Sequence, residues 1–226
     1  FDIPELKYVH LTGSFFDCDL KPIQNGFVVV DERYFPIKDS KIDINLHFCT
    51  NDPITIYAVD RDKLLVSDNY ISNIEAEVNL GAIQICNNLA TYIQYKCDSE
   101  QINGVIVQEM SVGYFDSNGD SYISGSSKDS LNAESNIRLT IGFNVPPASG
   151  HIPIGKYNVN GKTIINYDSK NSGGYYFLPQ SGEVNITATG ANSGDFLEGN
   201  YKVGLFKEGD NTGKIYEFYG SFRIKM

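Results

Sequence analysis

The feature that most constrains this chain is an alternation of apolar and polar side chains with a period of two, clearest in Lys41–Phe48. In an extended strand, the polar residues of this segment fall on one face and its apolar residues fall on the other, namely Ile42, Ile44, Leu46 and Phe48. Strand-sized segments recur about every 8–12 residues, whereas the periodicity of an amphipathic helix is hard to find. The sequence therefore predicts an all-β fold.

Strand candidates fall into two groups, separated at Asn87-Asn88. The first group is Tyr8–Phe16, Gly26–Val30, Lys41–Phe48, Ile54–Val59, Ile71–Val78 and Gly81–Cys86. The second group is Ala90–Lys96, Gly104–Phe115, Ser121–Gly125, Ile137–Phe143, Gly155–Asn158, Tyr175–Leu178, Gly182–Thr189, Phe196–Phe206 and Lys214–Ile224. The Gly, Asn, Asp and Pro residues between candidates favour turns, because they tolerate positive φ, fix φ or lack an N–H.

The seam at Asn87-Asn88 coincides with a change in composition. Ser, Gly, Asn and Tyr become prominent after it, while most of the net charge of -10 lies before it. The 226 residues suffice for two small β domains, since domains mostly hold about 100–150 residues. We therefore expect two β-sandwich-like domains, residues 1–87 and residues 88–226.

Charge and hydrophobicity argue against several classes of partner. With 28 acidic and 18 basic residues, the chain is poorly suited to bind nucleic acid or an anionic membrane surface. Its apolar stretches are strand-sized and fall well short of the about 20 residues of a membrane-spanning helix. The chain starts at Phe1 without a basic and apolar leader, so we expect that a signal peptide or a lipidated N-terminus is missing from it.

The cysteines are even in number and show no C-x-x-C spacing. With His10, His47 and His151 as the only histidines of the sequence, they do not form the pattern of a zinc site. Two alternatives stay open, either at least one disulfide in an oxidising compartment or four buried thiols. The disulfide candidates are Cys18, Cys49, Cys86 and Cys97, which allow three full pairings.

One segment partly matches a calcium-binding loop. Asp116, Asn118 and Asp120 occupy the first three alternate ligand positions, whose oxygens converge on a hard cation. Ser121 stands where such a loop needs glycine, and Ser127 stands where it needs a bidentate glutamate. The competing interpretation is a hairpin with an Asn-Gly turn between two strands. The hairpin is favoured, and calcium is the one cofactor that the sequence suggests.

Catalytic residues do not assemble into a recognisable motif. Asp60, Asp62 and Asp68 concentrate carboxylates in one loop, which either holds a cation or a polar ligand or, more often, is simply solvated. The sequence lacks the Gly-x-Ser-x-Gly elbow of many Ser-His-Asp hydrolases. Carboxylate pairs for glycoside hydrolysis are defined by a distance in space that sequence does not give. We therefore expect no enzyme, with a polysaccharide-active enzyme using strand-borne carboxylates as the alternative.

Aromatic residues of the second domain are the best candidates for a binding surface. Tyrosine stacks on sugars and anchors interfaces at small entropic cost. Because neighbours in a strand point to opposite faces, either Tyr176 alone or Tyr175 with Phe177 faces outward. Tyr216 and Tyr219 form a second candidate pair. The competing interpretation is cross-strand aromatic packing on a β surface.

An ordered series of motifs runs through the first domain: Leu11–Cys18, Lys21–Val30, the alternating strand, Ile54–Asp60 and Val78–Cys86. This series resembles carboxypeptidase regulatory-like domains, which are small transthyretin-like β-sandwiches. Their first strand reads roughly "v-x-G-x-v-x-D" and is followed by "x-P-x-x-G-a-x-V". The chain departs from that pattern at Leu20 and at Ser40, where these domains have glycine.

In detail, the series is most similar to a version found in Bacteroidota surface lipoproteins. There, cysteines follow the first strand, follow the alternating strand and end the domain, as Cys18, Cys49 and Cys86 do. Two C-terminal segments resemble the β-rich tails of the same lipoproteins, Ser181–Thr187 and Phe218–Ile224.

That resemblance implies a secreted or outer-membrane-attached, non-catalytic accessory protein. Such a protein serves as a structural spacer or as a binding or adhesion module, with a glycan or a protein at the cell surface as its partner. Its membrane attachment is peripheral and runs only through the missing lipidated N-terminus. A carbohydrate-binding protein is the alternative within this class.

Overall fold

The computed structural model describes residues 6–31, 33–50, 52–107, 109–114, 120–127, 135–145, 152–169, 173–189 and 194–226. Within these ranges nearly all regular structure is β-strand, and the one helix is a short 3-10 turn, η1 (Asp98–Glu100). The prediction of an all-β fold is therefore confirmed. Across the same ranges, no helix has the length and apolar character needed to cross a membrane.

The described chain divides into two compact units. The described residues up to Leu89 form unit 1, and the described residues after Leu89 form unit 2. The strands described in unit 1 are β1 (Lys7–Asp17), β2 (Gly26–Val30), β3 (Arg33–Pro36), β4 (Lys41–Phe48), β5 (Ile54–Asp60), β6 (Leu65–Val66), β7 (Tyr70–Ser72), β8 (Glu77–Ile85) and β9 (Asn87–Asn88). One sheet has the order β4-β1-β8, and the other has the order β3-β2-β5-β6-β9 with β7 alongside β5.

Both sheets of unit 1 contribute to one apolar core, so this unit is sandwich-like. Leu11 and Phe15 of β1 come from the first sheet, and Val28 and Ile56 of β2 and β5 come from the second. All four are almost fully buried, and burial of each such side chain contributes about 1.5–3 kcal/mol. In β4, the buried and partly buried apolar positions are those that the alternation predicts.

Leu20 and Ser40, in two turns of unit 1, have left-handed backbones with φ of 60° and 61°. These are the positions at which the resemblance to regulatory-like domains implies glycine, the residue that adopts this conformation without steric cost. Hydrogen bonds hold both turns. The N–H of Phe15 donates to the carbonyl of Ser40 at 2.8 Å, and the N–H of Asp17 donates to the carbonyl of Lys21 at 2.9 Å.

Unit 2 is built on one antiparallel sheet. Its described strands are β10 (Tyr92–Cys97), β11 (Ile102–Ile106), β12 (Ser111–Tyr114), β13 (Asp120–Ser127), β14 (Ser135–Asn144), β15 (Gly155–Asn158), β16 (Ile164–Ser169), β17 (Gly173–Ala188), β18 (Phe196–Lys207) and β19 (Ile215–Lys225). Their order is β11-β10-β19-β18-β17-β16-β14-β13-β12, with β15 also paired to β17. Ile106 of β11 and Ile123 of β13 share one core with Phe177 and Phe218 from the middle strands. The sheet therefore curls around its own apolar face.

Close packing of β10 against β19 depends on Gly220. A Cβ at this position would overlap the backbone carbonyl of Gln94. That carbonyl accepts a hydrogen bond from the Tyr201 hydroxyl at 3.0 Å. Burial raises the pKa of Tyr201 well above its ordinary value, so the hydroxyl stays protonated and donates. Here glycine is needed for the close approach of two strands.

Four strand candidates have the wrong limits for topological reasons. Ile71–Val78 is interrupted, because β7 pairs with β5 in one sheet while β8 pairs with β1 in the other. Gly104–Phe115 is two strands, because β11 and β12 lie at opposite ends of the sheet order. Tyr175–Leu178 and Gly182–Thr189 both belong to β17, whose ladder with β18 continues through a register shift. Strands β3, β6, β9 and β16 have no counterpart among the candidates.

Candidate functional site

The aromatic run of β17 is divided between the two faces of the sheet. Phe177 is fully buried and packs edge-on against Tyr216 and Phe218, with ring centroids 5.5 and 4.9 Å apart. Its prediction as a ligand contact is therefore wrong, because it belongs to the core. Tyr176 points to the other face and is 48% exposed, which decides between the two alternatives that strand alternation left open.

Tyr175 is half-buried beneath a lysine. The Lys207 ammonium lies 3.4 Å from the centroid of the Tyr175 ring, a cation–π contact. Lys207 Nζ and Lys214 Nζ each lie 3.5 Å from one carboxylate oxygen of Glu100. Tyr175 also packs against the core of unit 2, so with Lys207 over its ring it is not an open contact surface.

Tyr216 and Tyr219 lie on opposite faces of β19. Tyr216 is buried, and its hydroxyl donates to Asp210 Oδ2 at 2.6 Å. This hydrogen bond raises the pKa of Tyr216 to about 12. Hydrogen bonds from Thr212 and Tyr216 lower the pKa of Asp210 to about 2. The prediction of Tyr216 as a ligand contact is wrong, because its ring is in the core and its hydroxyl is committed to Asp210.

Tyr219 stands on the outer face of β19 and lines an open cleft of about 410 Å³. The cleft is also lined by Asp98, Ser99, Ile215 and Glu217. The Tyr219 hydroxyl donates to Asp98 Oδ2 at 2.7 Å, and Lys96 Nζ lies 2.9 Å from Asp98 Oδ1. The contacts of Lys96 and Tyr219 lower the pKa of Asp98, so this carboxyl stays charged. The cleft thus presents hydroxyls, carboxylates and one aromatic ring.

An exposed apolar row crosses four strands next to this cleft. Leu178 of β17 lies opposite Phe206 of β18, and Phe206 lies opposite Ile215 of β19. Ile164 of β16 directly precedes Ile165, which pairs with Phe177 of β17, so the same register places Ile164 beyond Leu178 in the row. These four side chains, the apolar row, are between 37 and 47% exposed. Tyr176 precedes Leu178 by two residues and therefore stands on the same face. We call the apolar row, Tyr176 and the cleft together the binding face.

A β-bulge in β17 decides which of its residues face outward. The register with β18 shifts between Pro179 and Ser181. Before the shift the exposed positions are Tyr176 and Leu178, whereas after it Glu183 is exposed and the even-numbered Val184 is buried. A bulge reverses the phase of alternation, so uninterrupted alternation along this segment cannot predict the binding face.

Ion pairs neutralise the acidic side chains of the cleft. Asp98 pairs with Lys96 as described, and Glu217 Oε1 lies 3.0 Å from Lys202 Nζ. Both pairs are largely exposed, so each contributes little to stability. Their effect is that charges of both signs stand side by side around the cleft and cancel.

Of the three calcium candidates, Asp120 lies among the described residues, whereas Asp116 and Asn118 lie outside them. Asp120 pairs with Lys162 at 2.8 Å and accepts a hydrogen bond from the Asn160 amide at 3.2 Å. Strands β12 and β13 pair antiparallel on either side of the loop, as the hairpin interpretation predicts. Among the described residues, no group of three or more His, Cys, Asp or Glu side chains could hold a metal ion. The calcium site stays a prediction.

The carboxylates of the Asp60 loop have protein partners. Asp60 is buried, and its Oδ1 accepts the N–H groups of Asp62 and Lys63 at 2.9 and 3.2 Å. Asp68 Oδ1 accepts a hydrogen bond from Asn87 at 2.9 Å. The nearby Lys63 ammonium lies 2.5 Å from buried Asp17 and lowers the pKa of that carboxyl. These groups hold turns of unit 1 together.

The cysteine alternatives are decided in favour of one disulfide. Cys18 and Cys86 are bonded, with Cα atoms 5.2 Å apart, at the ends of the parallel strands β1 and β8. Cys49 is an exposed free thiol, and Cys97 is a buried free thiol. The prediction of Cys49 and Cys97 as disulfide candidates is therefore wrong, because neither lies opposite another cysteine.

Sequence reasoning did not single out the contacts of His10. Its Nε2 lies 2.9 Å from Asp43, and its Nδ1 lies 3.0 Å from Glu77. Three adjacent strands bring these groups together, although they are far apart in sequence. Hydrogen bonds to Asp43 and Glu77 raise the pKa of His10 above 6.5. The apolar row was missed for the same reason, since it exists only through cross-strand register.

Comparison of the chain with protein-family models, curated proteins and solved structures finds no match. The functional assignment therefore rests on the patterns of the sequence and on the geometry of its residues.

Proposed function

We propose that the chain is a non-catalytic binding module of the cell envelope or the extracellular space, and that it binds its partner through the binding face of unit 2. The observation that carries this proposal is the exposed apolar row, which continues into a cleft lined by polar groups. Contiguous exposed apolar surface rimmed by polar residues is typical of interaction sites. A concave site with a few convergent polar groups is typical of ligand binding.

The disulfide of unit 1 supports a location outside the cytosol. Disulfides such as Cys18–Cys86 form and persist mainly in oxidising compartments. The resemblance of the first 87 residues to domains of surface lipoproteins favours the same location. In this proposal, attachment to a membrane is peripheral and runs through a lipid anchor.

The electrostatics of the cleft favour binding over hydrolysis. A general acid needs a raised pKa, so that it carries a proton at neutral pH. The pKa of Asp98 is shifted the other way by Lys96 and Tyr219. Glu217 Oε1 is engaged in an ion pair with Lys202 Nζ at 3.0 Å. A polysaccharide-active enzyme at this cleft is therefore the weaker alternative.

Retention of envelope material by the immobilised full-length chain tests the proposal. The face variant is Tyr176→Ser/Phe206→Ser, and the matched control is Ile154→Ser, an exposed apolar residue of unit 2 outside the binding face. We expect the native chain and the control to retain purified envelope fractions of the source organism, and the face variant to lose most of this retention. Equal retention by the face variant, with its thermal unfolding unchanged, would contradict the proposal.

A further inference from the structure

We propose that the binding face takes an uncharged oligosaccharide, which lies across strands β16 to β19. This inference rests on the proposed function and names the ligand class of the same site. It places the apolar row and Tyr176 against the C–H faces of successive sugar rings, and the polar groups of the cleft against sugar hydroxyls.

The shape of the apolar row fits a chain-like ligand. Its side chains come from four neighbouring strands, one from each strand. Because neighbouring strands are about 4.8 Å apart, the row is about 14 Å long and only one side chain wide. A linear oligosaccharide has similar proportions, with repeating rings that each present an apolar face.

The size of the apolar row argues against a globular protein as its occupant. A stable protein interface buries roughly 800 Å² on each partner. Five side chains that are each less than half exposed supply only a small part of such an area. An oligosaccharide needs less apolar surface, because most of its specificity comes from hydrogen bonds to hydroxyls.

The chemistry of the cleft matches hydroxyl groups. The Asp98 and Glu217 carboxylates accept hydrogen bonds, and the hydroxyls of Ser99 and Tyr219 both donate and accept. Ile215 belongs both to the apolar row and to the cleft lining. One ligand can therefore touch apolar and polar groups at the same time, as the apolar face and the hydroxyl-bearing edge of a sugar ring require.

The charges around the cleft favour an uncharged ligand. Asp98 and Glu217 are paired with Lys96 and Lys202 at 2.9 and 3.0 Å. A polyanion would meet two carboxylates in the cleft, and a polycation would meet two ammonium groups beside it. A neutral ligand uses the same groups as hydrogen-bond partners without breaking either ion pair.

Isothermal titration of the full chain with defined oligosaccharides tests this inference. The probes are neutral glucose-, mannose-, galactose- and xylose-based series of one to six units, with matched uronic acid and amino sugar series. We expect a neutral series to bind, its affinity to rise up to about the length of the apolar row, and its Kd to stay within about twofold as salt increases, since no net charge is neutralised.

The variants separate the binding face from other surfaces. Tyr176→Ser or Phe206→Ser should raise the Kd about tenfold or more, as loss of an aromatic anchor does. Tyr176→Phe keeps the aromatic ring and should bind like the native chain. Ile154→Ser should bind like the native chain. Thermal unfolding of each variant shows whether it is folded, and Tyr176 is exposed enough for its substitution to leave the core intact.

The possible failures are distinguishable. Binding of charged series alone, or a Kd that rises steeply with salt, overturns the inference. Retention of envelope protein through the binding face, with no binding of any oligosaccharide, also overturns the inference. This result is still consistent with the proposed function. Concentration-dependent dimers in light scattering that disappear in Tyr176→Ser identify a second copy as the occupant and also overturn the inference. Failure of the face variant to change any binding defeats both proposals.

Discussion

The two units stabilise β structure in different ways. Unit 1 distributes short strands over two sheets and joins the ends of β1 and β8 through the Cys18–Cys86 disulfide. Unit 2 has long strands in one sheet that curls around a single core. The smaller unit relies on a covalent link, whereas the larger sheet is held by packing and carries the proposed binding face on its outer side.

Removal of the disulfide should have the largest effect, and it should affect unit 1 alone. The bond closes a loop between residues 68 apart, so Cys18→Ser/Cys86→Ser should destabilise unit 1 by about 4 kcal/mol through the entropy of the unfolded chain. Hydrogen exchange followed by mass spectrometry would report each unit separately. Cys49→Ser, at an exposed free thiol, is the control and should change little. Unchanged protection of unit 1 peptides in the double variant would show that packing alone suffices there.

Gly220→Ala should disrupt the close packing of β10 against β19 in unit 2. The new methyl group overlaps the carbonyl of Gln94, so β10 must move away from β19, at a cost of about 3 kcal/mol. Peptides from β10 and β19 should lose protection against hydrogen exchange, while unit 1 stays protected. Gly161→Ala is the matched control, because a Cβ at that position meets no atom within 4 Å. If both variants unfold at the native temperature, close packing at Gly220 is not what holds this pair of strands.

The smallest predicted effect is a pH dependence in unit 1. The carboxylates of Asp43 and Glu77 raise the pKa of His10 in the folded state. Stability from this contact is therefore full below about pH 6.5, the unfolded value, and is lost as pH rises through the folded pKa. NMR titration of the His10 ring should give a midpoint above pH 6.5. His10→Gln should remove the decrease in the free energy of unfolding that accompanies deprotonation of this ring. His47→Gln should leave it in place, and a His10 midpoint at or below 6.5 would rule the effect out.

The aromatic residues show how far sequence reasoning reaches. Alternation correctly divided Tyr176 from its neighbours, but it did not say which face was the core. That choice depends on Tyr216 and Phe218, which pack against Phe177 from another strand. The apolar row was out of reach of sequence reasoning, because its members come from four strands and β16 was not predicted at all.

The cysteines of unit 1 likewise show that long-range pairing lies beyond sequence reasoning. Their number and spacing argued against zinc and left both a disulfide and free thiols open. The pairing of Cys18 with Cys86 follows from the parallel alignment of β1 with β8, which no local pattern encodes. Likewise, Leu20 and Ser40 stand where the resemblance implies glycine, yet both adopt a left-handed backbone, in turns that backbone hydrogen bonds close.

The sequence by itself determined the all-β class of this protein, the strand at Lys41–Phe48 and the change in composition near Asn87. These features are local, because period-two patterns and turn residues act over a few neighbouring positions. Only the tertiary structure decided the disulfide, the contacts of His10 and the apolar row. Each of these brings together residues separated by tens of positions, and their proximity depends on strand order, register and one β-bulge. Long-range pairing is fixed by the packing of the whole core, so it cannot be deduced from any single segment.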